Sequence, residues 1–209
     1  TICSPKRPSP TEVTDTINCN CHGSQFSIEA PTNETDEAIL KETLQATTVA
    51  TEIGLKLATY TLRDSASDKL RLLMAAEIDR SGGPDGRLAL AYSLVDDKGR
   101  LIHSQIDPDV KAPVASDATQ KYSGFILSDA TGTHTLKIAV VDERGRRGSV
   151  EHTFSAGLTE VGEVRVTDLL LADEKTGAGT AQPVVGRELT SGTVTNYIEL
   201  YSEAVDVLK

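Results

Sequence analysis

The stretch Gly132-Thr-His-Thr-Leu-Lys-Ile-Ala-Val-Val-Asp-Glu-Arg-Gly-Arg-Arg-Gly-Ser-Val150 decides how the rest of the chain is read. Leu136, Ile138 and Val140 alternate onto one face while Thr135 and Lys137 face the other way, the period-two pattern of a half-buried strand. Ala139 and Val141 interrupt the polar face near its end, which predicts a central strand covered on both sides there. Asp142 to Gly145 predicts a tight turn, and Ser149 to Ser155 the returning strand.

Upstream, the same alternation recurs between turn residues. Leu55 to Leu62 ends at Arg63-Asp64-Ser65. In Lys69 to Asp79, Leu70, Leu72, Met74, Ala76 and Ile78 share one face. Arg87 to Asp96 points Leu88, Leu90, Tyr92 and Leu94 inward, and Asp97-Lys98-Gly99 turns it into Arg100 to Ile106. These segments read as two consecutive hairpins, and after the loop Asp107 to Asp117 another strand starts at Lys121 and runs to Leu127. About seven short strands with turn signals between them predict an antiparallel β-sandwich of immunoglobulin or fibronectin type over 50–157. A parallel α/β sheet needs helices between strands, and the pattern has none there.

Outside this block the character changes. Residues 1–35, with Pro5, Pro8, Pro10 and Pro31, read as an irregular arm. Acids at Asp36 and Glu37, with Ile39, Leu40 and Leu44 at helical spacing, predict a short helix and linker over 36–49. Residues 158–209 read as a β-rich extension, with Val161 to Ala172 apolar, a flexible linker at Asp173 to Thr180, and a strand at Asn196 to Tyr201. That extension is expected to be incomplete, either paired onto the sandwich or belonging to a following domain.

Composition narrows the partners. Lys and Arg number 21 against 31 Asp and Glu, a net charge of −10, which disfavours nucleic acid or an anionic membrane surface as a partner held by long-range attraction. No run reaches the roughly 18 consecutive apolar residues of a membrane helix. Aromatics make up 4% and Trp is absent, so core volume must come from Leu, Val, Ile and Ala. All three cysteines, Cys3, Cys19 and Cys21, fall near the start of the chain, which makes no disulfide framework.

Two stretches resemble known families. Gly54-Leu-Lys-Leu-Ala-Thr-Tyr-Thr-Leu-Arg-Asp64, Leu73-Met-Ala-Ala-Glu77, Thr135 to Glu151, Thr167-Asp-Leu-Leu-Leu-Ala172 and Tyr197-Ile-Glu-Leu-Tyr201 occur in order across 45–203. This region resembles the β-rich part that follows the von Willebrand factor A-like domain in large exported bacterial proteins, especially those of acidobacteria. The resemblance implies β-sandwich modules without known catalysis, acting outside the cytoplasm as a periplasmic or secreted protein. The A-like domain with its Asp-x-Ser-x-Ser metal site is absent, so metal-dependent adhesion does not carry over.

The second covers Thr14 to Glu29, where Ile17-Asn-Cys-Asn-Cys-His-Gly-Ser-Gln-Phe-Ser-Ile28 is similar to the second cluster-binding box of Rieske iron–sulfur proteins. The resemblance implies Cys19 and His22 as metal ligands, each half of a pair on one iron of a [2Fe–2S] cluster, and Ser24 as a donor to a cluster sulfur. Cys21 stands where the family can carry a disulfide, and Phe26 where many members have a tyrosine hydroxyl. The first Cys-x-His box would fall near Thr1 to Cys3, but Cys3 is followed by Ser4 and Pro5. The string is then a remnant, half of a site completed by sequence outside this chain, or a coincidence.

Other polar groups suggest less. His103, His134 and His152 sit singly in predicted strands and read as surface or satisfied core histidines, although His134 and His152 fall on neighbouring strands. Asp79, Ser81 and Asp85 resemble the start of a calcium loop, but Leu90 occupies the position of its closing Glu. Asp107, Asp109 and Asp117 read as solvated loop acids with a calcium site as the sharper alternative. Arg144, Arg146 and Arg147 read as a solvated hairpin tip, or as a contact for a carboxylate or phosphate on a partner. No nucleophile elbow, phosphate loop, dinucleotide fingerprint or zincin helix occurs.

The expected function is therefore a non-enzymatic structural or protein-interaction module of an exported bacterial protein, without a cofactor, whose partners are other proteins or other domains of a longer chain. The alternative is a Rieske-type [2Fe–2S] electron-transfer protein with half its ligands present.

Overall fold

The computed structural model describes residues 33–82, 86–111, 114, 118–173, 182–186 and 194–202, and the strand backbone at 16–17 and 26–27; at 33–35, 173 and 182 only the backbone is described. The fold is mainly β with antiparallel sheets. In chain order, β1 (Thr16–Ile17) pairs with β2 (Phe26–Ser27), and α1 spans Asn33–Gln45. Then come β3 (Leu55–Arg63), β4 (Leu70–Asp79), β5 (Leu88–Asp96), β6 (Leu101–Asp107), β7 (Thr119–Ser128), β8 (Gly132–Asp142) and β9 (Arg147–Ala156). All seven predicted strands of the central block are present, and β3–β4 and β5–β6 are the two expected hairpins.

Two sheets result, one ordered β3-β4-β7 and the other β6-β5-β8-β9. Their inner faces meet in one apolar cluster. Leu70, Leu72, Met74, Ala76, Ile78 and Ile126 come from the first sheet, and Leu88, Leu90, Tyr92, Leu94, Leu136, Ile138 and Val140 from the second. These are the residues that the period-two pattern turns inward, and their burial is the main stabilising term of the sandwich.

The opening stretch forms β8, which lies between β5 and β9 and is a central strand. Its second apolar face is covered as expected, and α1 is the cover. Leu40, fully buried, packs with Ala89, Ala91, Ala139 and Val141, flanked by Ile39, Leu44 and Ile106. Small side chains on β5 and β8 let the helix approach the sheet closely. Polar ties fix its orientation: Asp36 pairs with Arg87, Glu42 with Arg147 at 3.0 Å, and the Ala46 carbonyl accepts a hydrogen bond from Lys137. The helix starts three residues before the predicted Asp36 and ends at Gln45, short of the β-branched run Thr47-Thr-Val49, whose restricted rotamers disfavour helix.

Residues 50–53 extend the second sheet beyond β9. Ile53 donates from its amide to the Arg147 carbonyl at 3.0 Å, Ser149 to the Ala50 carbonyl at 2.9 Å, and Thr51 bridges Gly148. A Cβ at Gly148 would lie 2.4 Å from the Ile53 carbonyl oxygen, so this close crossing requires glycine. The chain then crosses to the first sheet as β3.

The described residues of the extension form two small sheets. One is β10 (Thr159–Val161), β11 (Val164–Val166) and β15 (Leu200–Tyr201); the other places β12 (Leu170–Asp173) between β13 (Gln182–Pro183) and β14 (Val194–Tyr197). The described part of the extension is bonded to the sandwich. It is joined to edge strand β3, where the Thr61 amide donates to the Asp168 carboxylate at 2.6 Å and the Asp168 amide donates back to the Thr61 carbonyl at 3.1 Å. Of the expected linker at 173–180, Asp173 ends β12, and residues 174–180 lie outside the described residues.

Candidate functional site

The outer face of the β3-β4-β7 sheet is where the extension and the sandwich build a surface together. Register places Leu62 beside Arg71 and Tyr60 beside Leu73, with Leu127 and Phe125 opposite them on β7. Leu62, Leu73 and Ala75 are buried although they point away from the main core. The extension lies over that side, as the hydrogen bond from the Tyr60 hydroxyl to the Val184 carbonyl at 2.7 Å shows. Burial, and then the negative charge of Asp168, hold the Tyr60 hydroxyl above its ordinary pKa.

Among the described residues, coverage stops before β7. Phe125 remains 52% exposed and Leu127 54%. The Arg71 guanidinium lies 4.2 Å from the centre of the Phe125 ring, within range of a cation–π contact. Its Nε is buried without a hydrogen-bond partner, which leaves the ring as a visible electrostatic partner for that end of the group.

Beside Arg71 lies Tyr-x-Glu-x-Tyr, at residues 197–201. Glu199 accepts hydrogen bonds from the Tyr197 hydroxyl at 2.5 Å and the Tyr201 hydroxyl at 2.5 Å, and a longer one from the Arg63 amide at 3.4 Å. Burial raises the Glu199 pKa, but the two phenols, the amide and the Arg71 charge outweigh it and hold it below the ordinary range. Tyr201 is pushed up to about 12, first by burial and then by its bond to Glu199. Arg63 lies 5.1 Å from the Tyr201 ring centre. The anion, two phenols and two guanidiniums fix this corner of the extension on the sheet and border the apolar strip of β7. Alternation along an extended chain puts residues 197, 199 and 201 on one side, so the spacing itself was the sequence signal for this group.

A cleft of about 510 Å³ opens at the Arg63 end of the same sheet, lined by Arg63, Asp68, Leu70, Asp129, Thr131, Leu158, Glu160 and Arg165. Among its charges, Arg63 pairs with Asp68 at 2.7 Å, and Asp129 with Lys69 at 3.0 Å.

The residues singled out in the sequence have these places. Cys19, Cys21, His22 and Ser24 lie outside the described residues; only the flanking strands, with Thr16 opposite Ser27 and Ile17 opposite Phe26, are described. His103 is exposed and stacks on Tyr92, with ring centres 5.7 Å apart. His134 is buried, its Nδ1 is 2.8 Å from the Gly132 carbonyl, and its Nε2 has no hydrogen-bond partner. His134 and His152 are on neighbouring strands, and both rings stack on Phe154.

The aspartates serve turns. Asp79 accepts from the Ser81 amide at 2.8 Å and Asp107 from the Asp109 amide at 3.1 Å, while Asp109 pairs with Lys111. Asp85 and Asp117 lie outside the described residues. Among the described residues no group of three His, Cys, Asp or Glu side chains is placed to hold a metal ion. Of the arginine cluster, Arg146 pairs with Asp142 at 2.8 Å and Arg147 with Glu42; these carboxylates belong to the chain itself.

No family model and no curated protein sequence matches the chain. Among solved structures, structural genomics target SoR45 is 15% identical with a TM-score of 0.36, over 55% of this chain and 95% of that one. Target BeR40 of Bordetella pertussis is 13% identical with a TM-score of 0.35, over 52% of this chain and 95% of that one.

Proposed function

We propose that the chain is a non-enzymatic protein-interaction module of an exported bacterial protein, with a sandwich of immunoglobulin or fibronectin type. Support for the sandwich type is the order β3-β4-β7 against β6-β5-β8-β9. Support for an extracytoplasmic setting is the sequence resemblance across 45–203. The observation that carries the interaction reading is the strip on β7, where Phe125 and Leu127 stand out to solvent beside the Arg71 guanidinium. Large exposed apolar side chains set side by side mark interaction sites more often than single ones do.

A photoreactive amino acid at position 127, compared with one at exposed Leu101 on β6, tests this in the source organism. A discrete protein adduct at 127, absent at 101 and lost when Phe125→Glu is added, is the expected result. No adduct at 127, or equal labelling at both positions, overturns the reading.

A second reading, electron transfer through a Rieske-type [2Fe–2S] cluster, is favoured by the pairing of β1 with β2, the strands on either side of the Cys19 to Ser24 string in the sequence. This chain supplies only Cys19 and His22 of the four ligands such a cluster takes, so no electron-transfer step is assigned to it. Under the first reading, protein purified without oxygen is expected to lack stoichiometric iron and acid-labile sulfide. Finding both, with a Rieske-like visible spectrum, would replace the first reading with the second.

A further inference from the structure

We infer that β7 pairs antiparallel with β7 of a second copy of this chain, across a two-fold axis at Phe125. This rests on the interaction reading above and names the partner. β7 is the edge of its sheet, and among the described residues the bridge from Val114 to Gln120 is the one backbone pairing on its outer side. Its ten residues pair with β4 in unbroken register from Thr119 to Ser128, without a bulge and without proline. Edge strands are normally guarded by such devices, because an unguarded edge is a template for another strand.

The side chains on β7 are complementary to themselves. Counting outward from Phe125 along the solvent face, the neighbours are Ser123 and Leu127, then Lys121 and Asp129, the last just past the strand. Antiparallel pairing centred on Phe125 sets the two Phe125 rings together, Leu127 against Ser123, and Lys121 against Asp129, each pair twice. A parallel pairing would set like charges together instead.

The charges already present extend the match. Lys121 lies 3.7 Å from Glu77 and Asp129 lies 3.0 Å from Lys69 within one copy. Across the axis they form the alternating row Glu77, Lys121, then Asp129 and Lys69 of the second copy. The two exposed phenylalanines and two exposed leucines become one apolar strip bordered by these rows. The paired edges give a continuous six-stranded sheet, in an isologous arrangement that closes on itself.

Sedimentation equilibrium of the full chain over a range of concentrations tests the pairing, with circular dichroism melts confirming that each variant is folded. A monomer–dimer equilibrium is expected for the unaltered chain. Lys121→Asp faces Asp129 with a like charge twice and is expected to raise the dimer Kd by at least about tenfold. The exchange Lys121→Asp with Asp129→Lys is expected to recover most of that loss.

A chain that stays monomeric, or a dimer insensitive to Lys121→Asp, overturns the inference, as does an exchange variant no tighter than the single one. As a check independent of the charge variants, Phe125→Cys in a chain with its three native cysteines changed to serine is expected to cross-link to itself on oxidation, and Ser123→Cys is not. Equal cross-linking of the two also overturns the inference. If position 127 labels a different protein while the chain stays monomeric, the interaction surface stands and self-pairing falls. If neither labelling nor a dimer is seen, both fall.

Discussion

Replacing Ile138 by alanine is expected to destabilise the protein by about 3 kcal/mol, within the range for truncating a fully buried isoleucine. Ile138 has no exposed surface, sits in the middle of β8, and lies directly opposite Tyr92 on β5 and Val150 on β9. Its neighbours above and below on the same face are Leu136 and Val140, and the facing sheet closes the space with residues of β4. Sheets held on both sides relax little around a cavity, so the loss combines transfer free energy with unfilled volume. For a domain of this size that is a fall in melting temperature of roughly 10 °C. Thermal unfolding followed by circular dichroism measures it. Lys137→Ala, one residue away and facing α1, is the comparison: it removes a hydrogen bond to the Ala46 carbonyl and should cost far less.

The contrast between Ile138 and Lys137 also indicates which parts of the structure are legible in the sequence. Alternation is a direct consequence of strand geometry, so the inward residues of β4, β5 and β8 can be named without coordinates. The break in alternation at Ala139 and Val141 is equally physical: an apolar residue on the second face requires a second cover. What alternation does not specify is the cover's identity. Ala89 and Ala91 carry the complementary signal, a flat patch of small side chains, but it is recognisable only once α1 is known to lie there.

The candidate site is less legible for the same reason. Arg71 reads as an ordinary outward charge on β4, and Leu73 and Leu62 as lapses in pattern, until the extension is placed over them. Glu199 and its two tyrosines lie more than a hundred residues from Arg63 in sequence, so only their own spacing was visible. Asp168 is a still weaker signal, since its partner at Thr61 is a backbone amide and leaves no trace in side-chain chemistry. The bridging of sheet edges is where local pattern stops and tertiary contact begins.

One pattern, Asp-x-x-Gly-Arg, is repeated at two hairpin turns. It occurs at Asp96 to Arg100 and again at Asp142 to Arg146, and both copies fold the same way. In each, the aspartate amide donates to the arginine carbonyl, the glycine amide donates to the aspartate carbonyl, and the glycine adopts positive φ, 74° at Gly99 and 77° at Gly145. This is a three-residue hairpin connection with glycine in the left-handed region. Each carboxylate accepts from the backbone inside the turn and pairs with the arginine Nε, at 2.6 Å for Asp96 and 2.8 Å for Asp142. The copies differ mainly at the arginine, 24% exposed for Arg146 against 75% for Arg100, while the carboxylates are 1% exposed at Asp142 and 9% at Asp96.

Removing the buried carboxylate leaves two amides and a guanidinium short of their acceptor in a site water cannot easily reach. Asp142→Ala is accordingly expected to cost about 3 kcal/mol, on the order of a lost charged hydrogen-bond network. Asp96→Ala in the solvent-facing copy is expected to cost clearly less. Burial raises the Asp142 pKa, but bonds from Arg146 and Arg144 and the guanidinium charge outweigh it and hold it below the ordinary carboxylate value. A carboxylate depressed in the folded state contributes its stability above its unfolded pKa, about 3.9, and loses it as pH falls through the folded value. The stability difference between the unaltered protein and Asp142→Asn should therefore be constant near neutral pH and shrink below about pH 4. Urea unfolding at a series of pH values measures this difference, and a gap that stayed constant into strong acid would show that the charge at Asp142 contributes nothing to the turn.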